Sequence, residues 1–332
     1  LNLVPQRIID GTDFLSDIAL AFIAFSTGEF FKLSVLKKSG MRVVWITLFE
    51  AVLASVFVFI LTYFVLRLEL AFSIVLAALA SATAPASTMM TIRQTGAKGD
   101  FVDTLLQVVA LDDVVGLVLY SVAISVALAS LGSSGGCSFE TLVKPVLLNL
   151  AALALGGLFG LVMKLLMPAR RSTDNKLIIS VALLFAFCGV CALIDVSPLL
   201  GCMAMGTVYT NVAENDKLFK QLGYFSPPIL LLFFVRSGMN FKLDALFSAS
   251  GSLNGVPLIA VGVGYFLVRI LGKYVGAWLG CAAVKKDRLV RNYLGLALIP
   301  QAGVAIGLAA LGARTLGGVM GSDLETIILA SS

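Results

Sequence analysis

The stretch from Leu105 to Leu131 reads LLQVVALDDVVGLVLYSVAISVALASL, and the interpretation of the whole chain starts from it. The side chains in it that are charged at neutral pH are two adjacent acids, Asp112 and Asp113. As an α-helix rising about 1.5 Å per residue, the stretch would run roughly 40 Å and cross a bilayer, with the acids about 10–12 Å from its start. A charged side chain at that depth costs about 2.5 kcal/mol or more, so the pair predicts a functional site.

The composition predicts a polytopic membrane protein around this stretch. Of the 332 residues, 59% are hydrophobic and 13% are charged, whereas soluble domains carry about 25% charged residues. The basic residues behind the net charge of +5 are scattered between apolar segments, so no nucleic-acid partner is indicated. The sequence contains no histidine, no evident nucleophile–base set and no phosphate loop. We therefore expect neither an enzyme nor a cofactor.

Ten apolar segments can be read along the chain, and an eleventh begins at Leu324. We expect a single transmembrane domain over residues 1–332, with ten full spans and the start of an eleventh, truncated at both ends. The loops around 132–141 and 210–226 are interpreted as connections. The ten segments are 15–32, 43–66, 70–92, 105–131, 145–167, 177–194, 198–213, 227–241, 255–284 and 292–313.

Lysine and arginine alternate sharply between successive connections, which supports this segment order. The poorer set of connections holds Arg67, Lys144, Lys242 and Arg314. The richer set should be cytoplasmic, which places residue 1 outside and runs the aspartate helix from inside to outside. We expect a multi-pass protein of the plasma (inner) membrane. The richer set consists of Lys32, Lys37, Lys38, Arg42, Arg93, Lys98, Lys164, Arg170, Arg171, Lys176, Lys217, Lys220, Lys285, Lys286, Arg288 and Arg291.

Two of the apolar segments are interrupted by proline in mid-membrane. The first contains SATAPASTMMT with Pro85, and the second contains LIPQAGVAIG with Pro300, Gln301 and Gly303. Proline removes a backbone donor and clashes with the preceding turn, and freed carbonyls in a membrane must be buried in protein or line a wet cavity. Each proline alone could simply bend its helix. Two interrupted helices of opposite direction, one in each half, favour an inverted repeat with a binding site at their crossing.

The acid pair also requires a positive charge close by. Neighbouring residues on a helix point about 100° apart, so Asp112 and Asp113 cannot share one face. One can face a cavity, and the other can pack against a helix that supplies a positive charge. Lys273, in FLVRILGKYVGAWLG, is the candidate. Arg269, one turn away, either snorkels or pairs with an acid such as Glu50; the sequence leaves this open, as it does the choice of acid that faces the cavity.

Six motifs resemble, in order, the sodium/hydrogen exchanger family of the monovalent cation:proton antiporter superfamily. They are ATAPAST, ALDDVVG, PLLGCMAMGTV, FFVRSGMNF, ILGKYVG and PQAGVAIGLA. The Asp-Asp pair resembles the electrogenic members. The resemblance implies an all-α polytopic membrane protein with an inverted-repeat antiporter fold. It also implies two crossing discontinuous helices, a core domain, a dimerisation domain and elevator-type alternating access.

The resemblance also implies roles for individual residues. Asp113 resembles the acid that carries the ion and the proton, so Na+ would bind there; Asp112 resembles the acid that pairs with Lys273. Thr83 resembles a hydroxyl that helps to coordinate the ion. The helix breaks comprise Ala84, Pro85, Pro300, Gln301 and Gly303. Ala84 replaces an acid found in many members, and Gln301 and Ala302 replace Arg and Glu.

We therefore expect a secondary active transporter that exchanges cytosolic Na+ for external protons by alternating access. If Asp112 and Lys273 also trade a proton, the exchange would be electrogenic. Its partners would be membrane lipid, a second copy in a homodimer, and the transported ions, with no cofactor. The alternatives are K+/H+ exchange or K+ efflux, Na+-coupled uptake of an organic anion, a channel, and a non-transporting membrane sensor.

Overall fold

The computed structural model describes residues 13–33, 40–84, 88, 91–92, 94–131, 139–168, 170–194, 196–213, 217–241, 246, 252–253, 255–301 and 303–332. Within them the chain is almost entirely helical, and the all-α prediction is confirmed apart from one two-residue ribbon. That ribbon pairs β1 (Ser252–Leu253) with β2 (Val256–Pro257) antiparallel, with Leu253 opposite Val256.

The helices follow the predicted segments closely. In chain order they are α1 (Asp13–Thr27, continued by a 3₁₀ turn Gly28–Phe31), α2 (Met41–Phe59, continued by a π-helical stretch Ile60–Val65), α3 (Leu70–Leu79), α4 (Asp100–Leu131), α5 (Phe139–Leu166), α6 (Thr173–Leu193), α7 (Leu199–Val212), α8 (Lys217–Phe225), α9 (Pro227–Asn240), α10 (Leu258–Ala283), α11 (Arg288–Ala297), α12 (Gly303–Leu316) and α13 (Gly318–Ser331).

Several segment boundaries differ from the prediction, and two of them change how the chain is read. The stretch read as a loop up to residue 226 contains α8, a short helix that buries Leu218, Phe219 and Leu222 on one face. Its lysines hid the helix from a hydropathy-based reading, because amphipathic helices have low mean hydropathy. The last helix begins at Gly318 rather than Leu324, since the polar residues of its first turn still form helical backbone.

The membrane character is visible in lengths and surfaces. Five helices are long and apolar enough to cross a bilayer among the residues that the structure describes, or six if α8 and α9, bent by 45°, form one span. Many large apolar side chains on the helix surfaces are exposed, including Trp45, Leu165 and Leu267. In a soluble protein such surfaces would drive aggregation, but in a bilayer they face lipid. The chain is an integral, multi-pass membrane protein.

The chain divides into two compact units. The first comprises Leu1–Leu36 and Val143–Asn240 and therefore holds α1, most of α5, and α6 to α9. Its helices pack closely: a Cβ on Gly206 of α7 would lie 2.1 Å from the Phe25 carbonyl oxygen of α1. Asn211 closes the same contact by accepting from the Leu33 N–H at 2.8 Å and donating to the Phe31 carbonyl at 2.9 Å.

The second unit comprises Lys37–Leu142 and Phe241–Ser332. It repeats one order of elements: a long helix, an interrupted helix and a third helix. The first set is α2, α3 with its break, and α4; the second set is α10, the α11–α12 pair, and α13. An apolar cluster joins α2, α4, α10 and α11, and it includes Ile46, Val108, Ala277, Cys281 and Leu294. This repeat carries all the predicted site residues.

Candidate functional site

The acid pair lies deep in α4. This helix begins at Asp100, five residues before the predicted apolar segment, so Asp112 and Asp113 lie about 18–20 Å from its start rather than 10–12 Å. Asp112 is 0% exposed and Asp113 is 4% exposed. The extension matters because it places both acids nearer the middle of a 32-residue helix, where the cost of a charge is greatest.

The first predicted break follows α3. After Leu79 the chain makes a tight turn, in which the Ser81 N–H donates to the Ala78 carbonyl at 3.2 Å, and it then runs without helical hydrogen bonds through Thr83 and Ala84. The break approaches α4 closely, since a Cβ on Gly116 would lie 3.3 Å from Ser81 Oγ. Pro85 itself lies outside the described residues.

The second break separates α11 from α12, which begins at Gly303 with a φ of 22°. The two breaks meet: the Ala84 N–H donates to the Pro300 carbonyl at 2.9 Å. Gln301 adds a side-chain link, because its Nε2 donates to the Leu79 carbonyl at 2.8 Å. A neutral amide therefore ties the two breaks together.

One face of α10 carries three polar side chains next to the point where the two breaks cross. Tyr265, Arg269 and Lys273 follow one another at intervals of four residues, so they line the same side of the helix. All three are buried. The Tyr265 hydroxyl lies 3.0 Å from Gln301 Nε2 and 3.2 Å from Gln301 Oε1. This stripe is the polar wall against which both breaks are packed.

Arg269 forms hydrogen bonds with the carbonyl groups that have no helical partner at the breaks. Its guanidinium donates to the carbonyls of Ala80 at 3.1 Å, Ala82 at 2.7 Å and Ile299 at 2.6 Å. Unpaired carbonyls at this depth would cost several kcal/mol each. The sequence left open whether Arg269 snorkels or pairs with Glu50. The structure shows a third role, in which Arg269 holds the backbone of both broken helices.

Lys273 gathers the side chains of the site. Its Nζ donates to Asp112 Oδ2 at 2.9 Å, to Thr83 Oγ1 at 2.7 Å and to the Ser81 carbonyl at 2.6 Å. It also forms a direct ion pair with Glu50 Oε1, and the Thr83 hydroxyl donates to Asp112 Oδ2. The structure therefore brings together three predicted site residues, Thr83, Asp112 and Lys273, around a single ammonium group.

Glu50 is the site residue whose function the sequence did not indicate. It lies on α2 and is 0% exposed. It reaches Lys273 because α2 and α10 run antiparallel at very short distance: a Cβ on Gly276 would lie 2.6 Å from the Glu50 Cα, and one on Gly272 would lie 2.7 Å from the Ala54 Cα. A signal was present in the small residues of α10 spaced by four, a pattern that allows close helix packing.

Asp113 stands apart from this ion-pair cluster. Among the described residues it forms no salt bridge, and its Oδ1 is buried without a hydrogen-bond partner. Asp112, one residue earlier, is held by Lys273 and Thr83. The two acids thus have different surroundings, as their 100° separation requires. A buried carboxylate oxygen with no protein partner is suited to a proton or a metal cation.

The family model described as "Sodium/hydrogen exchanger, transmembrane" matches residues 1–331. The chain belongs to the sodium/hydrogen exchanger family. Its resemblance to that family is confirmed, and the family consists of membrane transporters rather than enzymes. A search of curated proteins found no match.

Solved structures support the fold of this exchanger-family chain. The sodium proton antiporter MjNhaP1 from Methanocaldococcus jannaschii, determined at pH 8, superposes with a TM-score of 0.71 at 20% sequence identity. The match covers 99% of this chain and 84% of that one. The predicted antiporter fold, with its two crossing discontinuous helices, is therefore confirmed.

Proposed function

We propose that the protein exchanges a monovalent cation, Na+, for protons by alternating access, and that Asp113 carries the ion and the proton in turn. Membership of the sodium/hydrogen exchanger family supports antiport of this general kind. The observation that carries the assignment is the buried, unpartnered carboxylate oxygen of Asp113 beside the crossing of two broken helices.

The chemistry is a competition for one carboxylate. A hard cation prefers oxygen ligands, and a proton bound to the same carboxylate removes the negative charge that attracts the cation. Binding of either substrate therefore displaces the other. If the loaded site is exposed to one side of the membrane at a time, the displacement becomes exchange.

The remaining residues prepare the site. Thr83 offers a hydroxyl oxygen next to Asp112, and Lys273 balances the charge of Asp112 while the site is empty of cations. Arg269 and Gln301 keep the two breaks unwound, because they satisfy the carbonyls that a continuous helix would bond internally. We propose that the exchange is electrogenic, that the protein works as a homodimer, and that it resides in the plasma membrane.

The direct test is transport by purified protein in liposomes. A Na+ gradient should drive proton movement reported by an entrapped pH dye, and Asp113→Asn should abolish it because an amide neither binds a proton at neutral pH nor carries a charge. Asp103→Asn is the matched control, since Asp103 lies on the same helix but is exposed. Full activity in Asp113→Asn would contradict the assignment.

The rival functions give different results in the same vesicles. A K+/H+ antiporter would respond to K+ in place of Na+, and an ion series of Na+, K+ and Li+ separates the two. A channel would pass ions down their gradient without moving protons. A non-transporting sensor would leave the dye signal unchanged for every ion.

A further inference from the structure

Lys273 has more acceptors than protons to donate. Its Nζ lies within hydrogen-bond reach of Asp112 Oδ2, Thr83 Oγ1, the Ser81 carbonyl and Glu50 Oε1. An ammonium group has three N–H bonds, so four acceptors cannot all be served at once. The two carboxylates therefore compete for the lysine, and a gain by one is a loss by the other.

Each of the three acids also keeps one oxygen without a partner. Glu50 Oε2, Asp112 Oδ1 and Asp113 Oδ1 are all buried and lack a hydrogen bond within the described part of the chain. A buried, unpartnered carboxylate oxygen is costly when it is charged. A proton or a cation on these atoms would remove the cost.

The charged surroundings of Glu50 come from two helices. From α10 it meets Lys273 directly, with Arg269 one turn away, and from α4 it faces Asp112. The neighbouring α3 (Leu70–Leu79) contains no ionisable side chain. Together with Asp113, the neighbour of Asp112 on α4, the site holds three carboxylates and two cations.

This set of groups does not balance when every member is ionised. Three carboxylates and two cations leave one negative charge in a buried site, and a single bound monovalent cation neutralises it. In the absence of the cation, one proton makes the site neutral, and a second proton gives it one net positive charge. Arg269 donates to three backbone carbonyls, so the charges that can change on ion binding are those of the acids and Lys273.

We propose that Glu50 is a second proton-carrying acid of the transport site, and that it takes Lys273 over from Asp112 when the cation binds. This inference rests on the proposed exchange function. In the proton-loaded state Asp113 and Glu50 are protonated, and Lys273 is paired with Asp112. In the cation-loaded state all three acids are ionised, Lys273 is paired with Glu50, and Asp112 and Asp113 share the cation.

The proton balance of the step is complete. One proton leaves Asp113. The second proton passes from Glu50 to Lys273 Nζ, while Nζ gives one of its own protons to Asp112. Asp112 then releases that proton to the solvent side. Lys273 is an ammonium at the start and at the end. Two protons leave as one cation enters, so the exchange moves net charge without a neutral lysine in either loaded state.

The competing account makes Lys273 itself the second proton carrier, so that the lysine is neutral in the cation-loaded state. The two accounts differ in which side chain must be able to lose a proton. Glu50→Gln removes the ability of this residue to lose a proton. Lys273→Arg removes it from the cation, because arginine is not deprotonated in proteins.

The experiment measures the gradient at which exchange stops, in liposomes whose membrane potential is clamped at zero. For two protons per cation, a tenfold Na+ gradient is balanced by about half a pH unit; for one proton per cation, it is balanced by about one pH unit. We expect about half a unit for the unaltered protein and for Lys273→Arg, and about one unit for Glu50→Gln.

Glu69→Gln, an exposed glutamate changed to the same amide, is the matched control and should behave as the unaltered protein. Glu50→Asp retains a carboxyl group and should restore the half-unit balance. A half-unit balance in Glu50→Gln would overturn the inference, as would a one-unit balance in Lys273→Arg, even if Glu50→Gln cannot be produced. Either result leaves the exchange function intact, whereas active Asp113→Asn would overturn the function itself.

Discussion

The hydroxyl of Thr83 has two tasks at once, since it accepts from Lys273 and donates to Asp112. Thr83→Ala removes a hydrogen bond to a charged group in a buried site, which is worth about 1.5–3 kcal/mol. We expect the Na+ concentration for half-maximal exchange to rise about tenfold or more, measured by the pH-dye assay. Thr83→Ser keeps the hydroxyl and should stay within about threefold of the unaltered protein.

A matched control is available on α2. Thr47 is also buried, but its hydroxyl donates to the Val43 carbonyl of its own helix at 3.0 Å. Thr47→Ala should therefore leave the Na+ dependence unchanged. Equal effects of the two alanine substitutions would show that Thr83 matters for packing rather than for the ion.

At this scale the sequence predicted the groups better than their partners. Asp112, Asp113 and Lys273 stand out because charges in apolar segments are rare. Glu50 is equally buried, yet its role depends on the register of α2 against α10, which sets the Glu50 carboxylate against Lys273. Register between two helices is a property of tertiary packing, and a single sequence does not reveal it.

Among the elements, the crossing depends on α10 and above all on Arg269. Arg269→Lys leaves a cation in place but replaces a planar fork by a compact ammonium, which cannot reach all three carbonyls in the same directions. Losing one or more charged hydrogen bonds should cost about 1.5–3 kcal/mol each. We expect a lower thermal unfolding temperature in detergent, and slower exchange because the breaks lose their support.

Arg288→Lys provides the comparison for that substitution, because Arg288 is exposed at the start of α11. It should leave the unfolding temperature unchanged. An Arg269→Lys protein with unaltered stability and exchange would show that the carbonyls find other partners.

The approach of α2 to α10 can be tested by a single methyl group. In Gly276→Ala the new Cβ would lie 2.6 Å from the Glu50 Cα and 2.7 Å from the Phe49 carbonyl oxygen, so the helices must separate. Overpacking of this kind costs about 1–3 kcal/mol. We expect lower thermal stability together with a weakened Glu50–Lys273 pair, seen as a change in the proton-to-cation balance.

Gly262→Ala tests the same change on the same helix without the contact, because nothing lies within 4 Å of its added Cβ. Alanine favours helix over glycine by about 1 kcal/mol, so this variant should be as stable as the unaltered protein or more stable. If both alanine variants were equally stable, close packing of α2 and α10 would not support the site.

The helix breaks illustrate what could be predicted at the scale of elements. Pro300 predicted the second break, and in the structure α11 ends at Ala297, three residues before this proline. The helix α8 was missed because its lysines lower its hydropathy. Sequence patterns therefore located the apolar helices and their interruptions, while the short amphipathic helix α8 could be recognised only from its packing.

For the whole molecule, the division into two units bears on how the site works. The unit formed by Lys37–Leu142 and Phe241–Ser332 contains the charged residues Glu50, Asp112, Asp113, Arg269 and Lys273 together with both breaks. In the proposed mechanism, cation and proton therefore meet within one folded unit. Their competition is a property of that unit and should appear in the steady-state kinetics of the complete protein.

The sign of the pH dependence follows from this competition. Lowering the pH places protons on the acids that bind the cation, so the Na+ concentration for half-maximal exchange must rise as the pH falls. One competing proton produces a rise of up to about tenfold per pH unit, whereas two protons that bind together approach a hundredfold. We expect the steeper dependence for the unaltered protein and the shallower one for Glu50→Gln, measured from initial dye rates over a series of pH values. A half-maximal concentration that is independent of pH would contradict direct competition at the acids, because a proton that bound elsewhere would alter the maximal rate instead.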